Sequence, residues 1–377
     1  ALRRSVARRP PRRRSPRPVA RSLAASRRAV AVAVPLGHPP AHAMDDAIHA
    51  WAQHAPRAPL EATTLSPLEA PTGHDVDIAV AHCSVCHSDV HLLDGDWGDV
   101  KRPLIAGHEV VGRIVRRGPD APVALGTLVG VGWQAGACGR CGACRTAREH
   151  LCTGGKVRTC VGRQGGFATR VRVDGRFAFE LPAGLDATTA APLLCAGLTV
   201  FSPLERLGVG PGVRVGVVGL GGLGHMAVRF ASAMGAEVIA FDPDLSKREL
   251  AASLGARELL DARAALPDNA VDLLLVTTHA SLPWDAWMKV LALEGTLCLV
   301  GVPSEPLRVG LDPLMDEQKK ITGSVIGSPA TMRRMLAFAA QHGIAPITER
   351  MPLARVNEAV ARVREGKARL RVVLDVA

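Results

Sequence analysis

The sequence predicts an α/β protein of two units, a compact β-rich one followed by a doubly wound parallel sheet with helices on both faces. Three observations carry that expectation. From about residue 60 to 190, short apolar runs such as DVDIAVAHC, VVGRIVRRG, LVGVGW and FATRVRV are punctuated by Gly, Pro and Asp, the pattern of short strands joined by turns. After about residue 197, RVGVVGLGGLGHMAVRFASAMGAEVIAFD reads as strand, glycine turn, amphipathic helix and strand. A helix at SKRELAASLGA and strands at VDLLLVTT, GTLCLVGV and ITGSVIG continue the alternation. Beyond residue 330, PATMRRMLAFAAQHG and LARVNEAVARVREGKA have helical character and RLRVVLDVA that of a closing strand, so the chain is expected to return to its first unit. The implied division is a tail at 1–43, a first unit at 44–196 with 329–377, and a second at 197–328.

The chain has 377 residues, 47% of them hydrophobic, enough to bury two cores. Its formal charge of +11 resides in the tail. Eleven of the 46 basic residues are arginines of residues 1–43, which hold no acid; from Met44 onward the 35 remaining basic residues balance 35 acidic ones. A neutral body lacks the electrostatic footprint of a nucleic-acid binder. The tail, rich in Arg, Pro, Ala and Ser, is too poor in core-forming residues to fold alone. It reads as an organelle-targeting segment, a disordered nucleic-acid arm, or an extension upstream of a start at Met44. No apolar run approaches the roughly 20 residues of a membrane helix, so no membrane partner is expected. Nine cysteines, an odd number, argue against a disulfide framework and for a reducing, cytoplasmic setting, with organelle import if the tail is a transit segment.

The glycine turn VGLGGLG sets Gly219, Gly221 and Gly224 in G-x-G-x-x-G spacing between a strand and a helix, with Gly222 and Leu223 inside the loop. Such a loop brings backbone against a pyrophosphate at a helix N-terminus, the mark of a dinucleotide site. Asp242, 18 positions beyond Gly224, closes the next strand, where a carboxylate accepts ribose hydroxyls and repels a 2′-phosphate. Lys247 and Arg248 follow closely enough to hold such a phosphate instead. The choice between NAD and NADP therefore stays open.

CGRCGACRTAREHLC supplies Cys138, Cys141, Cys144 and Cys152, a four-thiolate set suited to a closed structural zinc site, with an iron–sulfur cluster the rival. Cys83, Cys86, Cys160, Cys195 and Cys298 remain. A catalytic zinc takes about three protein ligands and keeps a position for substrate. One cysteine of CSVCHSDVH, His108 of AGHEVVG and Cys195 of APLLCAG meet that need, with Glu109 an exchangeable fourth.

Together, CHSDVH, GHEVVG, the four-cysteine run, PLLCAGLTVFSPL and VGLGGLGHMAVRFA resemble the zinc-dependent medium-chain alcohol dehydrogenases from about residue 60 to the end. WGDVKRPLIAGHEVVG, VGVGWQAGACGRCGAC and EGKARLRVVLDV resemble the aldehyde reductases of the cinnamyl-alcohol-dehydrogenase-like branch. The resemblance implies a GroES-like catalytic domain and a Rossmann cofactor domain. It implies Cys86 as the zinc ligand beside His108 and Cys195, Asp89 behind a ligand histidine, and Cys83 as a small buried side chain. Ser88 and His91 would relay a proton, His87 would lie near the pyrophosphate, Thr199 beside the nicotinamide, and Val302 would complete the cofactor contacts.

The activity so implied is reversible hydride transfer between NAD(P)H and an aldehyde or primary alcohol, with two zinc ions per chain. Trp97 and Trp133 are expected as apolar pocket walls for medium-chain, terpenoid or aromatic substrates. KITGSVIG is the strand expected to extend a sheet across a homodimer. One position departs from the branch: its NADPH-dependent reductases carry a small hydroxyl residue where Asp242 stands. The alternatives are an NAD-dependent alcohol dehydrogenase working oxidatively and, more distantly, a zinc-ribbon nucleic-acid binder.

Overall fold

The computed structural model describes residues 47–98 and 100–376, so the readings of the tail fall outside the described residues. Two sheets organise the chain. The first is six-stranded and parallel, in the order Glu258–Asp261, Glu237–Asp242, Arg214–Val218, Val271–Val276, Leu291–Leu299, Lys320–Gly323. Its strands are near-continuous apolar runs because both faces are covered, as parallel sheets require. On one face Val215 and Val217 pack with Met226 and Phe230 of the helix Gly224–Ala233. On the other, Phe241 and Val276 pack with Trp284, Trp287 and Met288 of the helix Trp284–Val290. The strand order reverses between Arg214–Val218 and Val271–Val276, and ligands of such sheets bind in the crevice at that switch point.

The second sheet is seven-stranded and mostly antiparallel, running Thr348–Pro352, Arg371–Asp375, Asp75–Val85, Glu109–Arg117, Leu128–Val131, Phe179–Glu180, with Arg170–Asp174 also on Asp75–Val85. Its register sets the chemistry. Ser84 lies opposite Glu109 and Cys83 opposite both Val110 and Leu374, so the end of the long strand, the start of the next and the closing strand converge. The strand Arg371–Asp375 pairs antiparallel with Asp75–Val85 in this sheet. The helix Ala196–Arg206 leads from this sheet toward the parallel one, and its Leu198, Phe201 and Leu204 are buried in the core shared with Phe230 and Met335.

Candidate active site

The four thiols of the glycine-rich lobe are gathered around the short helix Gly142–Arg145 and the turn ending at Cys152. Sγ–Sγ separations are 3.5 Å for Cys141–Cys144 and 3.9 Å for Cys138–Cys144 and Cys141–Cys152. A tetrahedron of thiolates at the usual Zn–S length sets sulfurs about 3.8 Å apart. Backbone N–H groups of Cys144 and Thr153 hold the Cys141 thiol down to about 5, as suits a ligand that binds as thiolate. The lobe fits a zinc ion with no open position.

The second cluster joins three distant stretches of chain. Cys86 caps the helix His87–Asp94, Cys195 caps the helix Ala196–Arg206, and Glu109 opens the strand Glu109–Arg117 with His108 just before it. Their ligand atoms lie within 4.8 Å of one another, and all four residues are buried. Asp89 arranges them. One of its oxygens accepts the Cys86 N–H at 3.0 Å; the other accepts the Gly107 N–H at 2.9 Å and His108 Nδ1 at 2.8 Å. With Nδ1 donating, His108 Nε2 turns a lone pair into the cluster, and that buried atom has no hydrogen-bond partner. Cys195 donates to Cys86, which lowers the Cys86 pKa well below the ordinary thiol value and raises that of Cys195. Two thiols, a free imidazole lone pair and a buried carboxylate together call for a cation. The two thiols and the imidazole fit zinc, with the fourth position lying between the Glu109 carboxylate and the cleft.

Of the two cysteines in CSVCHSDVH, Cys83 stands outside this cluster. It is fully buried against Gly107 and Gly166, where any Cβ would come within 2.8 Å and 3.0 Å of its Sγ. Burial pushes its thiol up, away from reactivity.

Cys86 and Cys195 open into a cleft of about 1810 Å³ that runs to the switch point of the parallel sheet. Ser88, His91, Trp97, Trp133 and Thr199 line it near the cluster, and Gly219, Gly221, Gly222, Leu223, Asp242, Lys247 and Val302 line it at the glycine loop. Gly219 has φ +90°, and a Cβ on Gly224 would sit 1.8 Å from Gly219 O, so the turn and the close helix approach both require glycine. Asp242 is pinned: Leu220 N–H donates to it at 2.7 Å, Asp244 N–H at 2.9 Å, and Lys247 Nζ stands 3.0 Å away. Arg248 is exposed and does not line the cleft. Trp133 sets its ring edge against His108, with centroids 4.9 Å apart, and Trp97 stacks on His91 at 4.9 Å.

Three residues here escaped the sequence reading. Asp96 tethers His91 Nδ1 at 2.8 Å. His279, on the loop after Val271–Val276, stacks on His87 with centroids 5.4 Å apart. Arg371, buried, bonds both oxygens of Glu109, reaches Ser84 Oγ at 3.4 Å and leaves its Cδ 3.0 Å from where a Gly222 Cβ would be. Asp96 and His279 lie outside the quoted motifs, and Arg371, though within EGKARLRVVLDV, has no local pattern that marks it as a site residue. The closing strand and the loop bring His279 and Arg371 in by tertiary pairing alone.

Residues 72–183 match the alcohol dehydrogenase GroES-like domain and residues 222–341 the zinc-binding dehydrogenase family. An aldehyde reductase from Synechocystis is 41% identical over 84% of this chain and 97% of its own. An NADP-dependent alcohol dehydrogenase from Mycolicibacterium smegmatis is 36% identical over 88% and 98%. The cinnamyl alcohol dehydrogenase structure from Sorghum bicolor superposes with a TM-score of 0.82 at 33% identity, covering 87% of this chain and 97% of that one. That from Helicobacter pylori, complexed with NADP(H), gives 0.81 at 30%, covering 87% and 98%. The distant zinc-ribbon alternative finds no support among these relatives. The fold, the zinc-fitting clusters and the likeness along most of the chain place it in the zinc-dependent medium-chain alcohol dehydrogenase family, in the cinnamyl-alcohol-dehydrogenase-like branch, as an NAD(P)-dependent oxidoreductase of aldehydes and alcohols.

Proposed function

We propose that the chain is an aldehyde reductase in which Cys86, His108 and Cys195 hold the catalytic zinc, Glu109 is its exchangeable neighbour, and Cys138, Cys141, Cys144 and Cys152 hold a structural one. The observation that carries this is the unpartnered lone pair of His108 Nε2 facing two thiols at the floor of a cleft that ends on a dinucleotide loop. When bound, zinc supplies Lewis-acid polarisation of the carbonyl oxygen and the nicotinamide supplies the hydride. Asp89 fixes the His108 tautomer and holds the Cys86 backbone in place. Ser88 hands a proton to the product oxygen, and His91, steadied by Asp96, restores it from solvent. Trp133 excludes water beside His108. Thr199 flanks the nicotinamide, and His87 and the loop residues Gly219 to Leu223 hold the pyrophosphate.

The cofactor is NADH in preference to NADPH. Both oxygens of Asp242 are fixed at the ribose position, Lys247 is spent on Asp242, and Arg248 stands off the cleft, so a 2′-phosphate meets a carboxylate and no free cation. The same observation favours one second reading, oxidation of primary alcohols with NAD. Apolar walls at Trp97 and Trp133 suit medium-chain, terpenoid or aromatic substrates. The edge strand Lys320–Gly323, with Leu311 and Met315 exposed just before it in sequence and Leu293 exposed on the neighbouring strand, suits a homodimer, and the setting proposed is cytoplasmic. Among the described residues no single helix is long and apolar enough to cross a membrane. The test is metal analysis with aldehyde-dependent oxidation of NADH: two zinc ions per chain and turnover support the reading, and one zinc with no turnover opposes it.

A further inference from the structure

The cleft carries more positive charge than its acids balance. Among the described residues Arg148, Arg158, Arg206, Lys247, Arg334 and Arg371 line it, against Glu205 and Asp242. Lys247 is paired with Asp242, Arg334 with both oxygens of Glu205 at 2.7 Å, and Arg371 with Glu109. Arg148, Arg158 and Arg206 have no acidic partner among the described residues. Arg148 Nε donates to Thr146 Oγ1 and Arg206 Nη2 to Gly323 O, which aim the two side chains without neutralising them.

Their placement is as informative as their charge. Cys195 caps the helix Ala196–Arg206, and Thr199, Ser202 and Arg206 all line the cleft, so one side of that helix leads outward from the catalytic cluster. At 1.5 Å per residue, Thr199 and Arg206 are about 10 Å apart along the axis. Opposite Arg206 stands the thiol lobe. Its His150 lines the cleft, lies within reach of the charges of Lys156, Arg148 and Arg206 as well as its neighbour Glu149, and has a buried Nδ1 without a partner. Arg158 is in register with Gln134, beside Trp133. Apolar Trp97, Val100, Trp133, Val161 and Ile326 line the same cleft, alongside Thr199 and Ser202.

We propose that Arg148 and Arg206, beside the unpartnered nitrogen of His150, form with Arg158 of the same cleft an anion-accepting rim, and that the enzyme's substrates are aldehydes bearing a carboxylate at the far end of an apolar spacer. This rests on the reductase reading above. Guanidinium groups receive carboxylates through paired N–H donors and keep their charge at every working pH. A cleft with charges of one sign at its mouth raises the local concentration of the opposite ion. The length of helix between Thr199 and Arg206 selects a medium spacer: a short oxo acid cannot reach both ends.

The experiment compares azelaic semialdehyde with its methyl ester, and succinic semialdehyde with its methyl ester, using the full chain with zinc and NADH at low ionic strength. The expected result is a kcat/KM for azelaic semialdehyde about tenfold above that of its ester, carried by KM, with no such gain for the succinic pair. Arg148→Gln/Arg206→Gln brings the azelaic ratio close to one. Should that variant not fold, salt serves on the unaltered protein: KM for the acid rises several-fold as screening shortens below about 10 Å, and KM for the ester holds. A readout independent of turnover is quenching of tryptophan fluorescence by nonanoate, expected at lower concentration than by methyl nonanoate. Equal kcat/KM for acid and ester, or a preference that persists in the variant, overturns the rim and leaves the reductase reading intact. No turnover of any of the four aldehydes overturns the reductase reading and the rim with it.

Discussion

Arg371 and Glu109, 262 residues apart in sequence, are buried against each other, with the arginine reaching both the glycine loop at Gly222 and the Cys86 thiol. The pair ties the closing strand to the strand that opens with the cluster. Burial raises the Glu109 carboxyl, and with Arg371 working against that rise it stands at about 7. Arg371→Met leaves that carboxylate alone, and removing one partner of a buried pair costs about 3–5 kcal/mol. Thermal unfolding should show the loss, and Arg371→Met/Glu109→Gln should recover part of it.

Asp89 accepts three donors with two oxygens, so Asp89→Asn must turn an amide N–H toward at least one of them. His108 then loses the partner that fixes its tautomer. Catalytic zinc affinity should fall about 10- to 100-fold, read by chelator competition, while one zinc per chain stays in the thiol lobe.

His91 is held by Asp96 and stacked on Trp97 at the cleft wall, the place for a group that passes protons to solvent. His91→Ala should lower kcat on the order of a hundredfold with cofactor affinity retained, and added imidazole should restore part of the rate. Asp96→Asn should cost much less. A kcat unaffected by His91→Ala would remove it from the relay.

His225 gives the fold a pH dependence independent of the metal sites. Burial lowers its pKa from 6.5 to about 4. Its Nδ1 is 3.0 Å from Gly221 O and its Nε2 accepts the Ile347 N–H, so the folded state holds the neutral ring between the glycine loop and the return segment. The unfolded state takes up the proton first. The stability this neutral ring contributes is complete above pH 6.5 and is lost as pH falls toward 4, by up to about 3 kcal/mol. Denaturant unfolding of His225→Gln between those values should show a flatter dependence than the unaltered chain.

Much of this site is legible in local sequence because its chemistry is local. The four thiols fall within one lobe, the glycine loop is one strand–turn–helix, and Cys86, Ser88, Asp89 and His91 share one helix start. Arg371 and His279 could not be read so. Each reaches the cleft through strand pairing across the chain, the closing strand on Asp75–Val85 and Val271–Val276 on Arg214–Val218. Arg148 and Arg206 look like ordinary surface arginines until the lobe and the helix end face each other. Asp242 shows the converse: its type and position are plain in sequence, but the spending of Lys247 on it appears only in the structure.

The proposed activity is reduction of aldehydes with NADH at a zinc held by Cys86, His108 and Cys195. The direct measurement is initial rates with NADH and with NADPH for one medium-chain aldehyde, on the unaltered chain and on Asp242→Ser. Expected is a higher kcat/KM with NADH, and a shift toward NADPH when the carboxylate is removed. Aldehyde-dependent oxidation of neither cofactor by the zinc-loaded protein would contradict it.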